Sequence, residues 1–116
     1  MRTFKTGATR DTDTTKLDYE GFLSPLVLGR YACYMNKHRI QADGKARASD
    51  NWQKGIPQDA YVKSLFRHFM ELWMLHRNGQ QSGPKVEEAC CAIWFNMQGY
   101  LLEALKQRPM APQERE

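Results

Sequence analysis

Between Pro57 and Pro109 apolar residues return every three or four positions, and the pattern breaks once, at Asn78-Gly79. That period belongs to α-helices, because strands alternate every two residues. The segment therefore reads as two helices, near 57–78 and 84–106, joined by the short turn 80–83. Pro57 and Pro84 suit a first helical turn, and Asn78-Gly79 supplies the stop between them. Upstream, Ser24 can cap a helix that Pro25 opens. Leu26, Val27, Leu28, Tyr31, Ala32, Tyr34 and Met35 carry it to about His38. The expected fold is all-α: a helical bundle of three main helices per chain.

On a helical wheel the second and third helices are each apolar on more than one side. Tyr61, Val62, Leu65, Phe66, Phe69, Leu72 and Trp73 form one broad face, with Met70 and Met74 beyond Arg67. Ile93, Met97, Tyr100, Leu101 and Ala104 form another, and Cys91, Phe95 and Leu102 a second side of the same helix. A chain of 116 residues can hardly cover all of this, so association into a homo-oligomer, a dimer or higher, is expected. The remaining chain divides into an N-terminal arm at 1–20 and a flexible tail at 109–116, around one domain at 21–108. Residues 39–56 form a connection long enough to suggest function.

Composition narrows the classes. The net charge is +4, from 17 basic and 13 acidic residues. That suits a polyanionic ligand such as a triphosphate without calling for nucleic acid. The basic residues do not line one helical face, so no stable nucleic-acid partner is expected. No apolar run approaches the roughly 18 residues a membrane span needs. Met1-Arg2-Thr3-Phe4-Lys5 is not followed by an apolar core, so the sequence predicts no signal peptide and a cytoplasmic location, that of the host cell if the source is viral. Cys33, Cys90 and Cys91, an odd set with one adjacent pair, read as reduced thiols rather than a disulfide framework or a zinc site.

Narrow polar stripes run between the apolar faces. Ser64, His68 and Glu71 share one, beside Arg67; Glu88, Ala92, Asn96, Gly99 and Glu103 share the other. Hard divalent cations take oxygen ligands, and Mg²⁺ is commonly held by one or two carboxylates plus substrate phosphates. Glu71 and Glu88 on facing helices are the natural pair for such an ion. Plainer roles exist for each residue. Glu87 and Glu88 also suit a helix N-terminus, where the macrodipole favours acids. His68 and Asn96 also suit hydrogen bonds within a bundle, Trp52 a core position, and Glu103 a solvated surface.

Three segments resemble a known family: Phe4-Lys5-Thr6-Gly7-Ala8-Thr9-Arg10-Asp11, Asp50-Asn51-Trp52-Gln53-Lys54-Gly55-Ile56-Pro57, and Ser64-Leu65-Phe66-Arg67-His68. They are similar to the phage-type dATP/dGTP diphosphohydrolases, relatives of the MazG-like all-α nucleotide pyrophosphohydrolases. The run 87–96 resembles the acidic final helix of that family. The resemblance implies hydrolysis of a purine deoxynucleoside triphosphate to monophosphate and pyrophosphate with Mg²⁺ or Mn²⁺. Residue by residue, it implies Glu71, Glu87, Glu88 and Asn96 as metal ligands, with Arg67 and His68 belonging to the site. In that picture Glu71, Glu88 and His68 carry catalysis. Asn51 and Trp52 read the base, Lys54 and Arg67 neutralise the phosphates, and Arg10 and Lys16 reach over from the arm. The wider pattern has Glu-x-x-Glu and then Glu-x-x-Asp. Here these positions hold His68-x-x-Glu71 and, after Glu88, Cys91. Two readings follow: a rearranged ligand set, with Asn96 or Asp18 substituting, or an inactive descendant. A non-catalytic nucleic-acid or protein-binding module is a third.

Overall fold

The computed structural model describes residues 2–11 and 15–109. Most of the expected tail lies outside the described residues. The fold is helical: α1 (Tyr19–Phe22), α2 (Pro25–His38), α3 (Gln58–Arg77) and α4 (Pro84–Leu105). Inside the N-terminal arm, β1 (Arg2–Thr3) pairs antiparallel with β2 (Thr9–Arg10), a small hairpin where an extended arm was expected.

Local chemistry explains the helix ends. Ser24 Oγ accepts from the Val27 amide at 3.2 Å, and Pro25 occupies the first turn of α2. Lys37 and His38 lie in the last turn of α2, where cations suit the helix dipole. α3 ends in a Schellman arrangement: the Gly79 amide donates to His76 O at 3.0 Å and the Gln80 amide to Leu75 O at 2.9 Å. Gly79, at φ 82°, holds the left-handed conformation that closes this cap.

The connection from α2 to α3 is more ordered than a loop. Arg39 and Arg47 pair through the Arg47 amide to Arg39 O at 2.8 Å, and Ile40 bridges Ala46. Gly44, at φ 83°, closes the turn, where Asp43 Oδ1 accepts from the Lys45 amide at 2.9 Å. A 3-10 turn, Asn51–Lys54, follows. Lys106 holds that turn to the end of α4, donating to Gln53 O at 3.0 Å and to Glu103 Oε2 at 2.8 Å.

α3 and α4 form an antiparallel hairpin and the main core. Ala89, Ala92, Asn96 and Gly99 are buried on one stripe of α4, and Tyr61 of α3 lies buried against Gly99. Small side chains let the two backbones approach closely. The large side chains then fall outside the seam: Phe66 is 65% exposed and Met74 61%. α2 crosses the hairpin through polar and aromatic contacts. Arg30 Nε donates to Glu87 Oε1 at 2.6 Å, and Tyr31 stacks on Trp94 with centroids 5.0 Å apart. The molecule is extended, with a radius of gyration of 18.9 Å. A compact chain of this length would have about 13 Å. No described helix is long and apolar enough to cross a membrane.

Candidate functional site

A cavity of about 450 Å³ opens where α2, the 39–47 hairpin, the 3-10 turn, α3 and α4 converge. Its volume lies within the range of small-molecule sites, ~300–1,000 Å³. Tyr34, Trp52 and Phe95 supply its aromatic walls. Trp52 meets Phe95 edge-on, with centroids 6.0 Å apart at 75°, and Phe95 meets Tyr61 in the same way at 5.9 Å. Trp52 therefore stands on a fixed aromatic column, and its turn is tied to α4 through Lys106. Ser64, His68, Asn51 and Asn96 add polar groups, while Arg39 and Arg47 add charge.

Of the residues singled out from the sequence, Asn51, Trp52, His68 and Asn96 line this cavity. Lys54, Arg67, Arg10 and Lys16 are exposed and do not line it. Asn96 is buried and donates through Nδ2 to Ala92 O at 2.7 Å, leaving its amide oxygen as the group free to act. Glu87 is engaged by Arg30. His68 Nδ1 lies 3.3 Å from Glu71 Oε2. In the tautomer that donates from Nδ1 to this carboxylate, the Nε2 lone pair is the one left to accept.

The register of the α3–α4 pair is fixed by Tyr61 against Gly99 and Phe95. Extrapolated by helical turns from that contact, the antiparallel register sets His68 near the level of Ala92 and Glu71, which is largely exposed, near the level of Glu88. Tyr34, on the cavity wall, senses both acids: burial first, then the charges of Glu88, Cys91 and Glu71, push its hydroxyl above the usual range. Glu88 is held below the usual carboxylate range, chiefly by its hydrogen bond from Lys37 at 3.0 Å. Its other oxygen, Oε2, is buried and has no hydrogen-bond partner; Arg30 Nη2 stands 3.6 Å away.

These features bear on a divalent cation. A buried carboxylate oxygen without a donor, level with a second carboxylate, fits a hard ion that takes its remaining ligands from water and phosphate. The described residues contain no group of three or more His, Cys, Asp or Glu side chains placed to hold a metal by themselves. Cys91, at the position where the resembled pattern has Asp, is buried, and burial raises its thiol pKa, so it is neutral at neutral pH. Glu71 and Glu88 are thus the two carboxylates such an ion could use, each shared with a side chain already in contact: Lys37 and Arg30 at Glu88, His68 at Glu71.

Sequence reasoning passed over Tyr34, Arg39 and Arg47 as site residues. The signal for the arginines was present in Asp43-Gly44, a strong hairpin dipeptide that sets its flanks opposite one another. Glu103, read as plain surface, helps to anchor the Trp52 turn through Lys106. No family model, curated protein or solved structure matches the chain.

Proposed function

We propose that the protein is a metal-dependent hydrolase that converts dATP or dGTP to the monophosphate and pyrophosphate. The observation that carries this reading is the aromatic, cationic cavity joined through His68 to Glu71, at the level of Glu88. Trp52 offers a stacking face, and Asn51 and Asn96 offer amide groups suited to a purine edge. The preference for dATP and dGTP comes from the three segments resembling the phage-type diphosphohydrolases. Exposed apolar faces on α3 and α4 support a homo-oligomer as the working form.

Glu71 and Glu88 would hold a Mg²⁺ or Mn²⁺ ion; Glu88 Oε2 accepts no hydrogen bond, and Arg30 beside it would have to share the carboxylate with the ion. When bound, the ion supplies Lewis-acid stabilisation of phosphate charge. His68 Nε2 accepts the proton of the attacking water, and the Glu71 carboxylate at Nδ1 stabilises the imidazolium that results. The water attacks the α-phosphorus, the α–β bridging bond breaks, and pyrophosphate leaves. Trp52 and the cavity walls hold the nucleotide in place, which matters because phosphoryl transfer depends mainly on positioning and charge stabilisation.

A nucleotide-binding descendant without turnover is the second reading. The neutral, buried Cys91 at the expected acid position favours it. The two are separated by incubating the protein with each dNTP and Mg²⁺ or Mn²⁺, and measuring binding alongside product. Hydrolysis predicts dNMP and pyrophosphate, with Glu71→Gln and Glu88→Gln each lowering turnover about 100-fold while nucleotide still binds. Binding without product in the unaltered protein would favour the descendant.

A further inference from the structure

The 39–47 hairpin places two arginines directly opposite each other across an antiparallel pair. Opposed residues in such a pair carry their side chains on the same face, and like charges there destabilise one another. Here both arginines line the aromatic cavity, and no Asp or Glu lines it with them. Neither forms an ion pair with a carboxylate among the described residues. Each is instead steered by a backbone carbonyl: Arg39 Nε donates to Arg47 O at 2.8 Å, and Arg47 Nη2 donates to His38 O at 2.9 Å. Each bond uses one edge of a guanidinium and leaves further N–H donors unspent. Two oriented, uncompensated guanidinium groups beside an aromatic wall describe a place for an anion attached to a ring.

The geometry points to Arg39 and Arg47 as the polyphosphate subsite of the nucleotide cavity, taking the phosphate tail of a purine nucleotide whose base lies against Trp52. This deepens the nucleotide reading of the cavity and rests on it. It assigns phosphate recognition to the hairpin rather than to Lys54 and Arg67, which lie outside the cavity lining. Arginine suits the role because its planar fork meets phosphate oxygens two at a time. An occupied subsite would also relieve the repulsion between the paired charges. The hairpin is thus expected to be firmer with ligand than without it.

Calorimetry on the full chain tests this assignment, with three probes: deoxyguanosine, a non-hydrolysable α,β-methylene dGTP analogue, and inorganic tripolyphosphate. The unaltered protein should bind the analogue more tightly than the nucleoside, and tripolyphosphate should compete with the analogue. Arg39→Gln and Arg47→Gln should each weaken the analogue about tenfold, as expected for loss of a charge-assisted contact. Nucleoside affinity should stay the same, and the double variant should bind the two probes alike. Raised salt should weaken the analogue's binding to the unaltered protein more than to the double variant. Because Arg47 also holds His38 O, the charge-retaining pair Arg39→Lys and Arg47→Lys controls for hairpin damage; it should keep most of the preference for the analogue. If the glutamine variants keep the full preference, the subsite lies elsewhere while the nucleotide reading stands. If the unaltered protein binds neither nucleoside nor analogue, both the subsite and the nucleotide reading fall.

Discussion

Gly99 sits where α4 passes closest to α3. A Cβ there would lie inside contact distance of the Tyr61 ring, which is itself buried and edge-packed on Phe95. Gly29, inside α2, has nothing within 4 Å of the same hypothetical atom. Alanine gains up to about 1 kcal/mol over glycine in a helix interior. Overpacking a tight core costs about 1–3 kcal/mol. Gly29→Ala should therefore raise stability by up to about 1 kcal/mol, and Gly99→Ala should lower it by about 1 kcal/mol or more. Urea denaturation reads both, and a stabilised Gly99→Ala protein would show that the seam yields more easily than its geometry implies. The same contact marks the limit of sequence reading at this scale. The small stripe of Ala92 and Gly99 was visible on the helical wheel as space beside polar groups. Which helix would fill that space could not be read, because a stripe carries no address for its partner. In the structure Tyr61 fills it.

At the scale of elements, α2 is docked by ion pairs, one aromatic stack and the Tyr31 hydroxyl, which donates to Gln98 Oε1 at 2.9 Å, and its stability should follow pH from both sides. Glu88 has a folded pKa below its ordinary value, chiefly through Lys37. A depressed carboxyl contributes stability above the unfolded pKa and loses it as pH falls through the folded one. The melting temperature should therefore drop between about pH 5 and pH 2 by more in the unaltered protein than in Glu88→Gln; equal drops would mean that the Lys37 contact adds nothing. On the alkaline side, burial above all pushes Tyr31 up to about 12, from a usual 10.0. The unfolded chain then releases this proton first, so stability should fall as pH rises from 10 to 12, and Tyr31→Phe should flatten that fall. The ends of α2 and α3 were legible in the sequence because Ser24-Pro25 and Asn78-Gly79 act through their own backbone groups. The 39–47 hairpin was not. Asp43-Gly44 gave the turn signal, and Arg39-Ile40-Gln41-Ala42 and Lys45-Ala46-Arg47-Ala48 alternate polar with apolar, but each run is only four residues and three of the four apolar members are alanine, which carries little strand propensity.

For the whole molecule, the exposed stripe of Phe66, Phe69, Met70, Trp73 and Met74 on α3 recurs at helical spacing, and the radius of gyration is well above that of a compact chain. The proposed homo-oligomer would cover this apolar surface. Sedimentation should show a dimer or larger species at micromolar concentration, and Phe66→Glu with Met70→Glu should shift it towards monomer. A monomeric unaltered protein would leave that face unexplained. The residues of this stripe were legible from the sequence as apolar at helical spacing; their exposure is what the structure adds. The cavity was legible only in its residue types, since Asn51, Trp52, His68 and Asn96 come from three separate elements. The central claim is that this cavity presents a purine triphosphate for water attack at the α-phosphorus. The most direct measurement runs the reaction with dGTP in ¹⁸O-labelled water with Mg²⁺ or Mn²⁺ and locates the label by mass spectrometry. The account predicts dGMP carrying one ¹⁸O and unlabelled pyrophosphate. Label in pyrophosphate, release of inorganic phosphate with dGDP, or no turnover with either metal would contradict it.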